Sequence, residues 1–195
     1  GMVNACEYMH SLSLFVTCAS ELQQMRLWSV HMRKELRFVG QCAVDVPGNS
    51  SITAIKASER LIFQRDTLRL LLGTRSGHLV TLSMPDLDGL KRLDDFETSA
   101  PLRLHKDGIT DMLVLPRSNR VVTAGMDGQI ISHVLGDDEL RSKSCYVGHQ
   151  RGVCSLAYCP GYEIFVSGGF EYQALCWAEN LPSSPAFPLV DTVQP

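Results

Sequence analysis

Apolar residues along the chain fall in short runs of five to eight residues that are rich in Val, Ile, Leu, Thr and Phe. Almost no stretch repeats apolar positions with the period of a helix, so the pattern favours strands. Turn-forming pairs such as Pro47-Gly48, Asp127-Gly128 and Pro160-Gly161 separate the runs. Many short strands between regularly placed turns predict an all-β fold, either a sandwich, a barrel or a propeller.

An internal repeat in the second half of the chain decides among these folds. Residues 105–133 align with residues 149–177 without a gap, at an offset of 44. Chemically similar residues coincide at six positions: His105 with His149, Pro116 with Pro160, Thr123 with Ser167, Gly125 with Gly169, Asp127 with Glu171, and His133 with Trp177. This agreement indicates one supersecondary unit that is present twice.

Two weaker copies of the unit precede these. The matching positions are Met25, Leu79, Ile130 and Ala174, at spacings of 54, 51 and 44. Four units then account for nearly the whole chain, at residues 2–40, 41–95, 96–145 and 146–190. Even repetition of this kind predicts the blades of a propeller rather than a sandwich or a simple barrel.

Each unit is predicted to contain four strands, the inner ones apolar on both faces, as in VVTA and EIFVSG. In the third unit the strands are Ile109–Leu115, Arg120–Ala124, Gln129–Leu135 and Lys143–Val147. Residues Val3–Met9 are predicted to form the first strand of the first unit. The tail, residues 181–195, contains four prolines and is predicted to hold one irregular edge strand near Phe187–Val190.

Composition narrows the cellular context. The chain has 195 residues with 45% hydrophobic residues and a net charge of -3, which predicts a folded core and no nucleic-acid partner. No apolar run approaches the roughly 18 residues that a spanning helix needs, so we expect no membrane insertion. Seven cysteines, an odd number at irregular spacing, are typical of unpaired buried thiols in a reducing compartment. We therefore expect a cytoplasmic protein.

The repeats resemble those of the WD-repeat β-propellers. The pair Gly148-His149 and the segment SGGFEYQALCW, which ends in Trp177, carry the resemblance, and the first unit keeps Trp28. The resemblance implies four-stranded antiparallel blades whose turns are held by a buried tetrad of His, Ser or Thr, Asp and Trp. The matching residues are His149, Ser167, Glu171 and Trp177 in the fourth unit, and His105, Thr123 and Asp127 in the third.

The repeats also depart from the family pattern. In the third unit His133 replaces the tetrad Trp, and the first two units lack the His and Asp positions, so no tetrad is expected there. Rings of this family commonly close with about seven blades, so four blades imply an incomplete ring with two open faces. Either further blades complete the ring, or two copies associate as a homodimer, or four blades close alone.

Two groups of residues have compositions found in catalytic or metal sites. His105, Thr123 and Asp127 have the composition of a hydrolase triad, but the G-x-S-x-G elbow is missing and the repeat explains the same residues. Cys145, His149, Cys154 and Cys159 lie close in sequence, yet their spacings do not follow zinc-ligand patterns. We expect no enzyme activity, no cofactor and no metal.

An interaction surface is the remaining functional candidate. The resemblance implies that one face carries the loops before the first strands and the turns between second and third strands. Candidate partner-binding residues there are Arg75, His78, Lys106, Met126, Arg151, Phe170 and Tyr172. The alternative for Phe170 and Tyr172 is that they pack between blades.

We expect a non-enzymatic scaffold for protein or peptide partners. The alternative is an assembly module whose blade faces build a larger complex. The segment GFEYQALCW is similar to blade ends in multi-propeller WD-repeat proteins of cilia and flagella, which implies a ciliary or cytoskeletal setting.

Overall fold

Strands make up nearly all of the regular structure. The computed structural model describes residues 2–10, 12–19, 24–30, 35–62, 65–84, 97–135, 143–179 and 187–188. These residues form antiparallel strands and one 3-10 turn at Pro47–Asn49. By its internal contacts the chain divides into two compact units, residues 1–104 and 105–195. The predicted all-β class is confirmed.

The first unit contains two sheets. Strands β1 (Val3–Met9), β2 (Leu14–Ala19), β3 (Gln24–Val30) and β4 (Leu36–Ala43) form the first, in chain order. Strands β5 (Ile52–Ile62), β6 (Arg65–Thr74), β7 (His78–Met84) and β8 (Glu97–Thr98) form the second, and β9 (Leu102–Arg103) also pairs with β7. The second sheet thus extends beyond residue 95, the predicted end of the second sequence repeat (residues 41–95).

The second unit contains two further sheets. Strands β10 (Ile109–Leu115), β11 (Arg120–Gly125), β12 (Ile130–Val134) and β13 (Ser144–Tyr146) form one, and β14 (Val153–Cys159), β15 (Ile164–Gly169), β16 (Ala174–Ala178) and β17 (Phe187–Pro188) form the other. Strand β17 lies where the tail's edge strand is predicted, while Leu189 and Val190 fall outside the described residues. We call the four sheets blades one to four.

Blades one and two share a core within the first unit. Met9, Val16 and Leu27 from blade one pack with Leu70 and Val80 from blade two, and all five are fully buried. Alternate residues along β2 are buried, as a strand with one core face requires. This alternation explains why the short apolar runs of the sequence fold as strands.

Blades three and four share a second core. Val122 and Ile130 of blade three pack with Phe165 and Trp177 of blade four. Strand β11 is buried on both faces, as predicted. Strand β15 is not: its residues alternate between buried and half-buried, because the side chains of Ile164 and Val166 lie on a face that stays partly open to solvent. The prediction that EIFVSG is buried on both faces is therefore wrong.

No helix among the described residues is long and apolar enough to cross a membrane.

Candidate interaction surface

A hydrogen-bonded network links three elements of blade three. His105 precedes β10, Thr123 lies in β11, and Asp127 lies in the turn that follows. Nε2 of His105 is 2.8 Å from the Thr123 hydroxyl, and Nδ1 is 3.0 Å from Asp127 Oδ1. Asp127 also accepts hydrogen bonds from the backbone N–H groups of Lys106, at 2.9 Å, and Gln129, at 3.1 Å. The network therefore ties the loop before β10 to the turn after β11.

Blade four contains the complete version of this network. Trp177 donates its indole N–H to the Ser167 hydroxyl at 2.7 Å, and that hydroxyl lies 2.6 Å from His149 Nε2. Nδ1 of His149 is hydrogen-bonded to the Glu171 carboxylate. With Glu171 ionised, the imidazole donates from Nδ1 and accepts the Ser167 hydroxyl proton at Nε2. Every donor in this row of hydrogen bonds then has an acceptor, so the four polar side chains can lie beside the core.

The first two blades differ from this pattern. In blade one Trp28 donates to the Thr17 hydroxyl at 2.9 Å, so the Trp–hydroxyl half of the network is present. This pair was not predicted, because the first two repeats lack the His and Asp positions of the network; the spacing was a usable signal, since Trp28 and Thr17 are eleven residues apart and Trp177 and Ser167 are ten apart. In blade three the Trp position is taken by His133, which is buried.

Burial shifts the pKa values of the ionisable pair in blade three. Desolvation lowers the pKa of His105 below its ordinary value, and the Asp127 hydrogen bond offsets only part of that effect. Desolvation also acts to raise the pKa of Asp127, but the hydrogen bonds from His105, Lys106 and Gln129 outweigh it, so the pKa of Asp127 is lowered. His105 is therefore neutral and Asp127 ionised at neutral pH.

Acidification is expected to destabilise the chain through this pair. Because the pKa of His105 is lower in the folded chain, the unfolded chain binds more protons as the pH falls below about 6.5, and stability is lost from there downwards. The lowered pKa of Asp127 adds a further loss only below about pH 3.9. Urea unfolding of the wild-type chain at pH 7.5 and 5.5 measures this loss. The His105→Gln variant should lose less stability over the same interval, and an equal loss in both proteins would contradict the assignment.

The side chains of His105, Thr123 and Asp127 are too buried in this structure to contact a substrate. The side chain of His105 has no exposed area, Thr123 is fully buried, and the Asp127 side chain is 7% exposed. Within the described ranges no group of three or more His, Cys, Asp or Glu could hold a metal ion.

Cys6, Cys18, Cys145, Cys154, Cys159 and Cys176 carry free thiols. The prediction that they are buried is wrong for Cys6, Cys145, Cys154 and Cys159, which are exposed because they lie on strand faces or edges open to solvent. Cys18 alone is fully buried, and desolvation raises its pKa to about 12.

Exposed apolar side chains lie on the turns after β11 and β15, which the two hydrogen-bonded networks hold in place. Met126 follows β11 and is 43% exposed, while Phe170 and Tyr172 follow β15 and are 47% and 98% exposed. Gly152 lies between the two turns: a Cβ atom there would come within 2.9 Å of the Met126 carbonyl oxygen and 3.2 Å of Phe170 Cδ2. The two turns are therefore neighbours, and Tyr172 projects into solvent instead of packing between blades.

Two exposed cations complete this patch. Lys106 and Arg151 lie in the loops that enter β10 and β14, and a Cβ atom at Gly128 would lie 2.8 Å from the Arg151 carbonyl oxygen. We call the set Lys106, Met126, Arg151, Phe170 and Tyr172 the turn surface.

The backbone of Tyr172 has a conformation that favours glycine. Its φ is 65°, and the corresponding turn residues of blades three and two are Gly128 and Gly77, with φ of 77° and 80°. A bulky side chain in this region is uncommon, because its Cβ atom crowds the backbone. The turn is closed by hydrogen bonds from Tyr172 N to Gly169 O and from Gly169 N to Gln173 O.

The remaining two candidates, Arg75 and His78, belong to the first unit. Arg75 is exposed in the turn between β6 and β7, and its N–H donates to Ser51 O at 2.9 Å. His78 is half-buried, with Nδ1 3.0 Å from the Ser76 hydroxyl, so its ring belongs to the polar structure of that turn.

Comparison with known proteins agrees with this architecture. The family model described as WD domain, G-beta repeat matches residues 97–131 and 140–177, which run from β8 into β12 and from before β13 to β16. No curated protein matches the chain. The two matched segments contain both networks and the turns that carry Met126, Lys106 and Arg151. Residues 97–131 and 140–177 therefore match the WD repeat, and the described residues fold as four-stranded antiparallel blades consistent with an incomplete WD-repeat propeller.

Proposed function

We propose that the chain is a non-enzymatic scaffold that binds a protein or peptide partner through the turn surface. WD repeats generally mediate interactions between proteins. The observation that carries the proposal is the exposure of Met126, Phe170 and Tyr172 on adjacent turns of the matched repeats.

The composition of the turn surface suits a protein partner. Aromatic side chains, Met and Arg are enriched where interfaces concentrate their binding energy. In the part of the chain that the structure describes, Lys106 and Arg151 form no ion pair. A partner segment that presents a carboxylate beside a large apolar side chain would complement both features. Arg75 extends the set of candidate residues in the first unit.

The networks beneath the turn surface reduce the entropic cost of binding. Asp127 holds the Lys106 loop by accepting a hydrogen bond from the Lys106 backbone N–H and by contact with the His105 imidazole, and Glu171 holds the next loop through the His149 imidazole. Each imidazole is in turn hydrogen-bonded to a strand hydroxyl. Loops that are ordered before binding lose less conformational freedom when a partner docks. These buried residues therefore support the binding surface without touching the partner.

The second candidate function is assembly, in which blade faces build a larger complex. The half-buried face of β15 with Ile164 and Val166 favours it, because apolar blade faces usually pack on another blade. A homodimer or completion by further blades would satisfy that face. A cytoplasmic location, and a ciliary or cytoskeletal one, are extensions of the proposal that rest on the composition and on the resemblance of segment 170–177.

A peptide-display selection on the whole chain tests the scaffold proposal. Peptides that bind the wild-type chain are expected to bind Met126→Glu and Phe170→Glu at least about tenfold more weakly, while the solution mass stays unchanged. Val147→Glu is the matched control, since Val147 is 82% exposed and outside the turn surface. Undiminished binding by both turn variants would reject the proposal.

A further inference from the structure

Each blade has two faces, because alternate residues of its strands point to opposite sides. We call the face that packs on the preceding blade the entry face, and the face that packs on the following blade the exit face. Within the second unit, the exit face of blade three packs on the entry face of blade four. Leu113, Val122 and Ile130 lie on the former, and Phe165 and Trp177 on the latter.

The exit face of blade four is the counterpart of this covered face. At the repeat offset of 44, Ala157, Val166 and Ala174 correspond to Leu113, Val122 and Ile130. Along β14, β15 and β16 the register places nine residues on the exit face of blade four: Ser155, Ala157, Cys159, Ile164, Val166, Gly168, Ala174, Cys176 and Ala178. None of these nine is charged and none is buried, and Phe187 of the edge strand β17 lies on the same face by register. The side chains on the three inner strands are small or aliphatic, and they lack the aromatic cover that the exit face of blade three has.

The entry face of blade one repeats the aromatic face that covers blade three. Tyr8, Phe15, Thr17 and Trp28 correspond to Tyr158, Phe165, Ser167 and Trp177 of blade four.

The entry faces of blades one and four also share a side-chain hydrogen bond. The indole N–H of Trp28 donates to Thr17 at 2.9 Å, as that of Trp177 donates to Ser167 at 2.7 Å. The degree of burial differs: Phe165 and Trp177 are buried, whereas Phe15 and Trp28 are half-buried. The entry face of blade one therefore has the aromatic residues that cover an exit face within the second unit, and Phe15 and Trp28 on it are partly open to solvent.

We propose that the exit face of blade four in one copy binds the entry face of blade one in a second copy. Each copy offers one face of each kind, so the same contact can form twice in a pair of copies. Large aromatic rings would pack on small aliphatic side chains, as Phe165 and Trp177 pack on blade three. One position differs from that interface, because Arg26 stands where blade four has Leu175; its aliphatic stem can lie along the apolar surface.

This homodimer gives the assembly candidate a specific contact, and it does not depend on the scaffold function. The turn surface lies on turns, whereas the proposed contact uses strand faces, so substitution of one leaves the other intact. The two proposals can therefore fail separately.

Light scattering of the whole chain over a wide concentration range tests the dimer. The wild-type chain is expected to be a dimer, and Val166→Glu and Tyr8→Glu are expected to raise its dissociation constant by about thirtyfold or more. Val147→Glu and Tyr162→Glu are matched controls, because Val147 and Tyr162 are 82% and 80% exposed away from both faces. The controls and Met126→Glu should keep the wild-type mass.

Mixing the two face variants tests the head-to-tail arrangement. The Val166→Glu chain keeps its entry face and the Tyr8→Glu chain keeps its exit face, so the mixture is expected to form a dimer through one intact contact, while each variant alone stays monomeric. A monomeric wild-type chain at all concentrations would overturn the proposal and would direct attention to further blades as the cover. A dimer that survives Val166→Glu, or a mixture that stays monomeric, would also overturn it.

Discussion

Replacing Gly125 by alanine is expected to lower the free energy of unfolding by about 3 kcal/mol. The added Cβ atom would lie 2.4 Å from His105 Nδ1 and 2.5 Å from Asp127 Oδ1, which is closer than any of these atoms can approach. The imidazole and the carboxylate must separate, and both are buried. Each would then lose its partner in a place that water does not reach, so the full desolvation cost appears.

Gly169 occupies the same place in blade four. Its Cβ atom would meet Glu171 Oε2 at 2.4 Å and His149 Nδ1 at 2.5 Å, so Gly169→Ala should have a similar effect. Gly161→Ala is the control, because nothing lies within 4 Å of a Cβ atom there, and its effect should stay within about 0.5 kcal/mol. Urea unfolding of the whole chain gives the three values. Equal stabilities for Gly125→Ala and Gly161→Ala would contradict the geometry of the network.

Truncation of Trp177 to alanine is expected to cost about 4 kcal/mol. The indole is 2% exposed and packs on Phe165, with ring centroids 6.2 Å apart, and on Tyr146, at 5.5 Å. Removal leaves a cavity between blades three and four and takes the indole donor from the Ser167 hydroxyl. Both losses act on the same core, so this single change has the largest effect that we expect on the second unit.

Trp28 provides a comparison within the same chain. It has the same hydrogen bond to a hydroxyl but is half-buried, so Trp28→Ala should cost about 2 kcal/mol when measured at a concentration where the chain is monomeric. The difference between the two variants is expected to shrink as the concentration rises and a second copy covers blade one. If Trp28→Ala costs as much as Trp177→Ala in the monomer, the difference in burial between the two faces would be disproved.

The repeat offset made the architecture of the second unit predictable. A gapless alignment means equal strand and turn lengths, so residues such as His105 and His149 must fall at equivalent places in their blades. Spacing cannot show backbone pairing that depends on tertiary contact, which is why the two-residue strands β8 and β9 went unpredicted. Composition likewise cannot show which face of a strand is open, and the exposed Cys159 was predicted to be buried for that reason.

Turn conformation was also beyond the sequence. The pair Asp127-Gly128 predicts a tight turn in blade three. In blade four Tyr172 occupies the equivalent left-handed position, where no glycine indicates such a conformation. Tyr172 was a predicted partner-binding candidate, but its left-handed backbone is a feature that only the structure reveals. The neighbourhood of Met126 and Phe170 depends in the same way on the packing of two turns around Gly152.

The most direct test of the scaffold proposal is a methyl spectrum of the chain with labelled methionines, recorded as a selected peptide is added. Met126 is 43% exposed on the turn surface, whereas Met9 and Met25 are fully buried in the core of the first unit and serve as internal references. The Met126→Leu variant assigns the signal. We predict that the Met126 resonance shifts or broadens on addition of the peptide while those of Met9 and Met25 remain in place. An unchanged Met126 resonance at saturating peptide would contradict binding through the turn surface.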